Sequence, residues 1–385
     1  MLDFDFYNPT HIVFGKDRIN ELDNLVPEGS RVLITYGGGS VKKFGTLDLV
    51  QKALGNRAVF EFAGIEPNPR FSTLMKAVDI VKKEEIDFLL AVGGGSVMDG
   101  TKFISLAASF DGKAEELLTY GFKPVPVATA IPIGTVVTLP ATGSEMNSGG
   151  VISHEHGKYP VFSPLAFPKF SILDPQLTYT LPGTQVANGI VDTFIHIVEQ
   201  YVTFPAEGRF QDRTAEGILQ TLIEIGEKTM DDPEDYDARA NLVWCATMAL
   251  NGLIGAGVPQ DWTTHMIGHE LTAMFGIDHG KTLAVVQPAV WKVRRAQKKE
   301  KLIQYADRIW GITQGTDDEI VDRAIARTED FFHSLGVKTR LGDYGVEGDR
   351  IPDIVSALKD HGMTALSETQ DVTPEVSEAI LRAAL

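Results

Sequence analysis

The chain has a single cysteine, Cys245, among 385 residues. No intramolecular disulfide can form, and a reducing compartment is the expected setting. No apolar run reaches about 18 residues, so no stretch reads as a membrane-spanning helix. The opening MLDFDFYNPT lacks the basic and apolar regions of a signal peptide. Positive charge is scarce: 35 Lys and Arg stand against 52 Asp and Glu, a formal net charge of −17. That balance argues against nucleic acid or an anionic membrane as partner. It leaves small anions open, because backbone dipoles act locally whatever the global charge. Low-complexity segments are absent. A cytoplasmic protein with no nucleic-acid or membrane partner is expected.

What is present is ordinary for a globular protein: 43% hydrophobic and 23% charged residues. The length suggests two or more domains. Over the first 180 residues, short apolar stretches alternate with helix-like ones. Strands are expected at Arg31–Thr35, Ala58–Phe62, Phe88–Val92 and Val125–Pro132. Helices are expected at Val41–Ala53, Arg70–Lys83 and Val97–Ala107. Such alternation predicts a parallel sheet covered by helices, with strands buried on both faces. GGVISHEHGKYPVFSP reads as a hairpin with its polar tip around Gly157. From about Leu181 onward the helical period dominates, with helices at Val186–Thr203, Asp212–Lys228, Ala238–Leu253 and Asp317–Leu335. The turn-rich LDPQLTYTLPGTQ marks the boundary, giving domains 1–181 and 182–385.

The pentapeptide GGGSV occurs twice, at Gly37–Val41 and Gly93–Val97, each after an apolar run and before a helix-like segment. Glycine allows close backbone approach, and a helix N-terminus offers free N–H groups to a phosphate. Neither run is a simple G-x-G-x-x-G fingerprint. Two such loops after buried strands nonetheless favour phosphate binding over plain connectors. TLPATGSEMN, residues 138–147, is a weaker candidate for the same work.

Four of the nine histidines lie between residues 196 and 279. Asp192 and His196 are four apart, as are His265 and His269, and His279 follows ten residues later. An i, i+4 pair on each of two helices can converge on one cation. Imidazoles with a carboxylate suit Zn²⁺ or Fe²⁺ rather than Mg²⁺ or Ca²⁺. Five candidate ligands leave one spare for handling a proton. His154 and His156 sit in the polar hairpin and read as surface residues; His11, His333 and His361 read as structural. Cys245 reads as core.

These motifs resemble the iron-dependent, or group III, alcohol dehydrogenases. The likeness spans nearly the whole chain and rests on GGGSVMDGTK, TLPATGSE, VANGIVDTFIHIVEQY and GLIGAGVPQDWTTHMIGHELTAMFGIDHG. Within the family it looks closest to bacterial NADPH-dependent aldehyde reductases and butanol dehydrogenases. The resemblance implies a Rossmann-like α/β nucleotide-binding domain followed by an all-α metal-binding domain, the dehydroquinate-synthase-like architecture. It implies Asp192, His196, His265 and His279 as ligands of the divalent metal, with His269 facing cofactor and substrate. Gly94, Gly95, Ser96 and Asp99 would sit at the pyrophosphate and nicotinamide end, with His269 and Asp99 as catalytic candidates. Thr138, Thr142, Ser144 and Asn147 would line the cofactor cleft, Lys158 would contact the cofactor, and Leu177 and Leu181 would pack near its adenine or ribose. Homodimers are frequent in the family, and HIVF is a candidate pairing edge.

NAD-preferring members of the family often carry an Asp in the first glycine loop. Here that loop is Gly37, Gly38, Gly39 and Ser40, followed by Lys42 and Lys43. The missing acid and the nearby donors predict NADPH. Reduction of an aldehyde at a metal-polarised carbonyl is the expected reaction. Trp262, Met266 and Phe275 would form an apolar substrate pocket, or else bundle core. The rivals are a polyol dehydrogenase or a dehydroquinate-synthase-like cyclase on the same fold, and a non-redox metal or nucleotide-binding protein. The scarcity of Lys and Arg between Trp262 and Phe275 disfavours the cyclase.

Overall fold

The computed structural model describes residues 1–155 and 157–385. They form two compact units. One, the sheet unit, comprises Tyr7–Leu181 and Pro233–Asn251; the other, the helical unit, comprises Met1–Phe6, Pro182–Asp232 and Gly252–Leu385. The chain therefore crosses between the units four times.

The sheet unit is built on β1 (His11–Phe14), β2 (Arg31–Thr35), β3 (Ala58–Phe62), β4 (Phe88–Gly93), β5 (Ile133–Val137) and β8 (Phe170–Leu173). All six pair in parallel, in the order β1-β8-β5-β4-β2-β3. Strand periodicity sends alternate residues to opposite cores. Leu33, Leu89 and Ala91 pack on one side of the sheet, and Val32, Ile34, Leu90 and Val92 on the other. Helices α1 (Leu22–Leu25), α2 (Ser40–Lys43), α3 (Thr46–Ala53), α4 (Phe71–Lys83) and α5 (Gly95–Ala108) supply the covering layers. Strands β6 (Gly149–His154) and β7 (Gly157–Phe162) form a separate antiparallel hairpin.

Two elements differ from expectation. The apolar run Val125–Pro132 is not a strand; pairing starts one residue after it, at Ile133. Pro126 and Pro132 carry no N–H for a ladder, which excludes that run from a central strand. The helix expected over Val41–Ala53 is two helices, α2 and α3, broken at Phe44–Gly45.

The helical unit contains α6 (Gly183–Tyr201), α7 (Arg209–Asp231), α9 (Thr263–Phe275), α10 (His279–Val293), α11 (Arg295–Trp310), α12 (Asp317–Ser334), α13 (Ile351–Asp360) and α14 (Pro374–Ala383). Its core joins α9 and α10 to the C-terminal helices through Ile267, Leu271, Val286, Val290, Ile354, Leu358 and Ile380. The intervening α8 (Tyr236–Ala249) belongs to the sheet unit. There Trp244 meets Phe14 edge-on at 6.1 Å between ring centroids, and the wholly buried Arg239 donates to the Thr178 carbonyl. Among the described residues, no helix is long and apolar enough to cross a membrane.

Candidate functional site

In the sheet unit, the chain runs from β2 outward to β3 and from β4 the opposite way to β5. Adjacent β2 and β4 thus flank the topological switch point, where open α/β sheets bind ligands at their carboxyl ends. Both glycine loops leave the sheet there. The first, Gly37–Ser40, follows β2; the second opens α5 with Gly94, Gly95 and Ser96. Their glycines differ in kind. A Cβ on Gly95 would lie 2.4 Å from Thr142 Cγ2, so glycine is needed for loop 138–142 to close on α5. Among the described residues, a Cβ on Gly38 or Gly39 would meet nothing within 4 Å.

Asp99, Lys102, Ser144, Asn147 and the start of β6 form one polar network, with Ser144 and Lys102 buried and Asp99 and Asn147 half-buried. Ser144 Oγ donates to Asp99 Oδ1 at 2.6 Å, and the Val151 amide to Asp99 Oδ2 at 2.9 Å. Lys102 Nζ donates to Ser144 Oγ (2.9 Å), Asn147 Oδ1 (2.8 Å) and the Gly149 carbonyl (2.7 Å). Burial pushes the Lys102 ammonium down to about 8, against the pull of Asp99 and Glu145. Burial also raises the Asp99 and Glu145 carboxyls. Glu145 accepts from Thr247 Oγ1 of α8 at 2.6 Å. Lys102 and Glu145 were not among the candidates drawn from sequence; Lys102 lies three residues after Asp99, on the same helix face.

Thr138 follows β5, its amide on the Gly93 carbonyl, and Thr142 Oγ1 accepts from the Ser144 amide. Lys158 lies on β7 beside Ser153 in the register of the hairpin. Leu177 packs partly buried against the core that holds α2 and α3, and Leu181 is half-buried at the end of the unit. Lys42 pairs with Glu61 at 3.2 Å, and Tyr36 Oη donates to the same carboxylate oxygen at 2.6 Å.

In the helical unit, α6 carries Asp192 and His196 one turn apart. His265 and His269 lie one turn apart on α9, and His279 opens α10 just beyond Gly276. Among the described residues, Asp192, His265 and His279 bring one ligand atom each within 4.8 Å of one another. Asp192 Oδ1 lies 3.6 Å from His265 Nε2, 3.7 Å from His279 Nε2 and 3.6 Å from His196 Nδ1. These separations exceed a hydrogen bond. They match two ligands of one cation: atoms about 2.1 Å from a tetrahedral centre lie about 3.4 Å apart. Among the described residues, Asp192 Oδ1, His196 Nδ1 and His265 Nε2 are buried with no hydrogen-bond partner; His196, 3.6 Å from Asp192, lies outside the converging group of three. Buried polar atoms are normally satisfied, so this set fits a divalent cation bound by nitrogen and carboxylate oxygen.

Electrostatics agree. Burial alone would raise the Asp192 carboxyl, but the surrounding histidines hold it well below the usual carboxylate range. Burial drives His196 down to about 4, so its ring is neutral and can ligate. His265 is different: burial opposes its charged form, but Glu199 outweighs that and pushes it to about 9. Burial raises the Glu199 carboxyl as well. Glu199 is a further residue that sequence reasoning missed. Asp192, His196 and Glu199 stand at i, i+4 and i+7, one face of one helix, and that spacing was the available signal.

The rings of His269 and His279 lie 5.1 Å apart, and Trp262 stands edge-on to both His196 (6.2 Å) and His265 (5.3 Å). Phe275 packs on the helical core. Of the other histidines, His154 packs on Phe71, His333 bonds Thr339 and His361 bonds Glu270. His156 lies outside the described residues. Cys245 is buried, and burial pushes its thiol up to about 12.

Two family descriptions match the chain: iron-containing alcohol dehydrogenase over residues 9–175, and the C-terminal part of the Fe-containing alcohol dehydrogenase family over residues 186–385. The NADPH-dependent aldehyde reductase YqhD of Escherichia coli strain K12 is 56% identical over 388 residues, covering 100% of each chain. A crystal structure of E. coli K-12 YqhD aligns at a TM-score of 0.98 and 55% identity, covering 100% of this chain and 99% of that one. The NADH-dependent butanol dehydrogenase A of Thermotoga maritima aligns at a TM-score of 0.93 and 35% identity, with the same coverage.

Proposed function

The chain belongs to the iron-containing alcohol dehydrogenase family, and on that premise we propose that it reduces aldehydes to primary alcohols with NADPH and one divalent cation, iron or zinc. The observation that carries this is that Asp192, His265 and His279 bring a ligand atom each within 4.8 Å of one another, with Asp192 Oδ1 and His265 Nε2 buried and without hydrogen bonds among the described residues. When bound, the cation supplies Lewis acidity toward a carbonyl oxygen and NADPH supplies the hydride.

The protein's own part is binding, orientation and proton supply. Asp192, His196, His265 and His279 hold the cation, and Asp192 offsets its charge. Trp262, beside two of these rings, keeps one side of them apolar and limits water there. Reduction adds hydride to the carbonyl carbon and needs one proton at the oxygen. His269, with a ring nitrogen able to give and retake a proton, is the relay to water.

In the sheet unit, Gly94, Gly95 and Ser96 offer the N-terminus of α5 to the pyrophosphate. Asp99, Thr138, Thr142, Ser144, Asn147 and Lys158 shape the nicotinamide end, and Lys102 holds that network together. Gly37–Ser40 take the adenosine end, with Leu177 and Leu181 beside it. The open space at Gly38 and Gly39 leaves room for a 2′-phosphate, and the acid on neighbouring β3, Glu61, is already engaged by Tyr36 and Lys42. A cytoplasmic homodimer completes the reading, with β1 on the sheet edge as the pairing strand.

The test is absorbance loss of NADPH, and separately NADH, with butanal and added iron or zinc. Oxidation of NADPH is expected, abolished together with metal binding in His265→Ala. Neither cofactor oxidised by the metal-loaded wild type would sink the reading.

A further inference from the structure

Glu199 sits on α6, seven residues after Asp192 and three after His196, and is buried. Its carboxylate does two things at once. Oε1 accepts the backbone N–H groups of Thr264 (2.8 Å) and His265 (3.2 Å). Both belong to the first turn of α9, where helix donors have no partner within their own helix. Oε2 meets the Nδ1 of His265. An ionised carboxylate only accepts, so Nδ1 carries the proton. The lone pair of the neutral ring is then on Nε2, the atom 3.6 Å from Asp192 Oδ1 with no hydrogen-bond partner.

The surroundings fix this arrangement from both sides. The Asp261 amide donates to the Glu199 carbonyl at 2.8 Å. Asp261 Oδ1 accepts the Thr263 amide at 2.9 Å, and Lys298 Nζ lies 2.8 Å from Asp261 Oδ2 while donating to the Val202 carbonyl just past α6. The turn entering α9, just ahead of His265, is thus tied to the C-terminal end of α6, about one turn beyond His196.

We propose that Glu199 is the positioning residue of the metal centre: it fixes the tautomer and ring plane of His265, so that Nε2 is presented to the cation. The inference rests on the metal reading above and names a residue outside the ligand set. Glu199 touches neither cation nor substrate and acts only through His265.

E199Q separates this role from simple capping. Its amide oxygen can keep the two backbone donors of α9. Its NH₂ then faces Nδ1, which must accept, and the proton moves to Nε2, the ligating atom. Full-length wild type and E199Q, stripped of metal, are titrated with zinc against a chromophoric chelator at about pH 9, where protons compete least for imidazole. E199Q should bind zinc about 10–100-fold more weakly, while its metal-free unfolding midpoint, measured at that same pH, where the His265 charge contributes little, stays close to that of wild type. Zinc affinity within about twofold of wild type would overturn the proposal. If E199Q does not fold, zinc-loaded wild type labelled with ¹⁵N-histidine decides. Long-range proton–nitrogen spectra should show the His265 proton on Nδ1; a proton on Nε2 overturns the proposal. A wild type that takes up no zinc sinks the metal reading and this inference together. Zinc uptake unaffected by E199Q sinks this inference alone.

Discussion

Stripping the metal should expose a pH dependence that the loaded protein lacks. The perturbation is removal of the cation with a chelator, and the reporter is His265. Burial opposes its charge, but Glu199 moves it from the ordinary 6.5 to about 9. A folded-state value raised above the unfolded one stabilises the fold fully below pH 6.5. That contribution is lost as pH rises through 9. The whole loss is roughly 3 kcal/mol, at about 1.4 kcal/mol per pH unit. With zinc in place the Nε2 proton is gone, so this fall should vanish. Zinc uptake near neutral pH should then release about one proton from His265. His196, already down to about 4, releases none. Urea unfolding from about pH 6 to about pH 10, with and without zinc, reads the first effect. Calorimetry in two buffers of different ionisation enthalpy counts the protons. A flat metal-free profile across this window, with zinc uptake free of proton release, would refute the assignment of the His265–Glu199 pair.

Two further outcomes follow from the glycine loops. Gly38→Asp places an acid where a Cβ meets nothing and the backbone is not left-handed, unlike Gly39 with φ of 102°. The ratio of kcat/KM for NADPH to that for NADH should fall at least about tenfold, near 1.4 kcal/mol of repulsion; an unchanged ratio would show that this loop does not read the 2′-phosphate. Gly95→Ala drives a methyl to 2.4 Å from Thr142 Cγ2 and should cost about 1–3 kcal/mol of stability by urea unfolding. Adding Thr142→Ala should recover much of that loss, and no change in the Gly95→Ala midpoint would show that loop 138–142 yields freely.

The strands were legible because their composition is one-sided. Arg31–Thr35 and Ala58–Phe62 are mostly apolar runs between turn residues, and their limits coincide with β2, buried but for Arg31, and β3, an edge strand of which only Phe62 is buried. Val125–Pro132 looked equally apolar, but hydrophobicity does not report missing N–H donors, and the ladder waits for Ile133. β8 was not identified, because four residues ahead of Asp174 give too little pattern. In the metal cluster, i, i+4 pairs exposed Asp192 with His196 and His265 with His269. Glu199 passed for an ordinary helix residue, since its partners lie 65 and 66 residues away in sequence. Lys102 was hidden likewise: a lysine reads as surface, and only the fold shows three acceptors around it.

The four crossings between units bear on how this chain can be dissected. Its two family segments, residues 9–175 and 186–385, invite a cut near Leu181. An N-terminal fragment made that way would lack α8, and with it Thr247 against the buried Glu145, Trp244 against Phe14 and Arg239 beneath Thr178. The C-terminal fragment would carry α8 without the sheet unit to which it belongs, and would lose Met1–Phe6. Neither piece is a self-contained module. Split chains should regain order only when both fragments are present, and domain grafts between relatives must move residues 233–251 together with the N-terminal half.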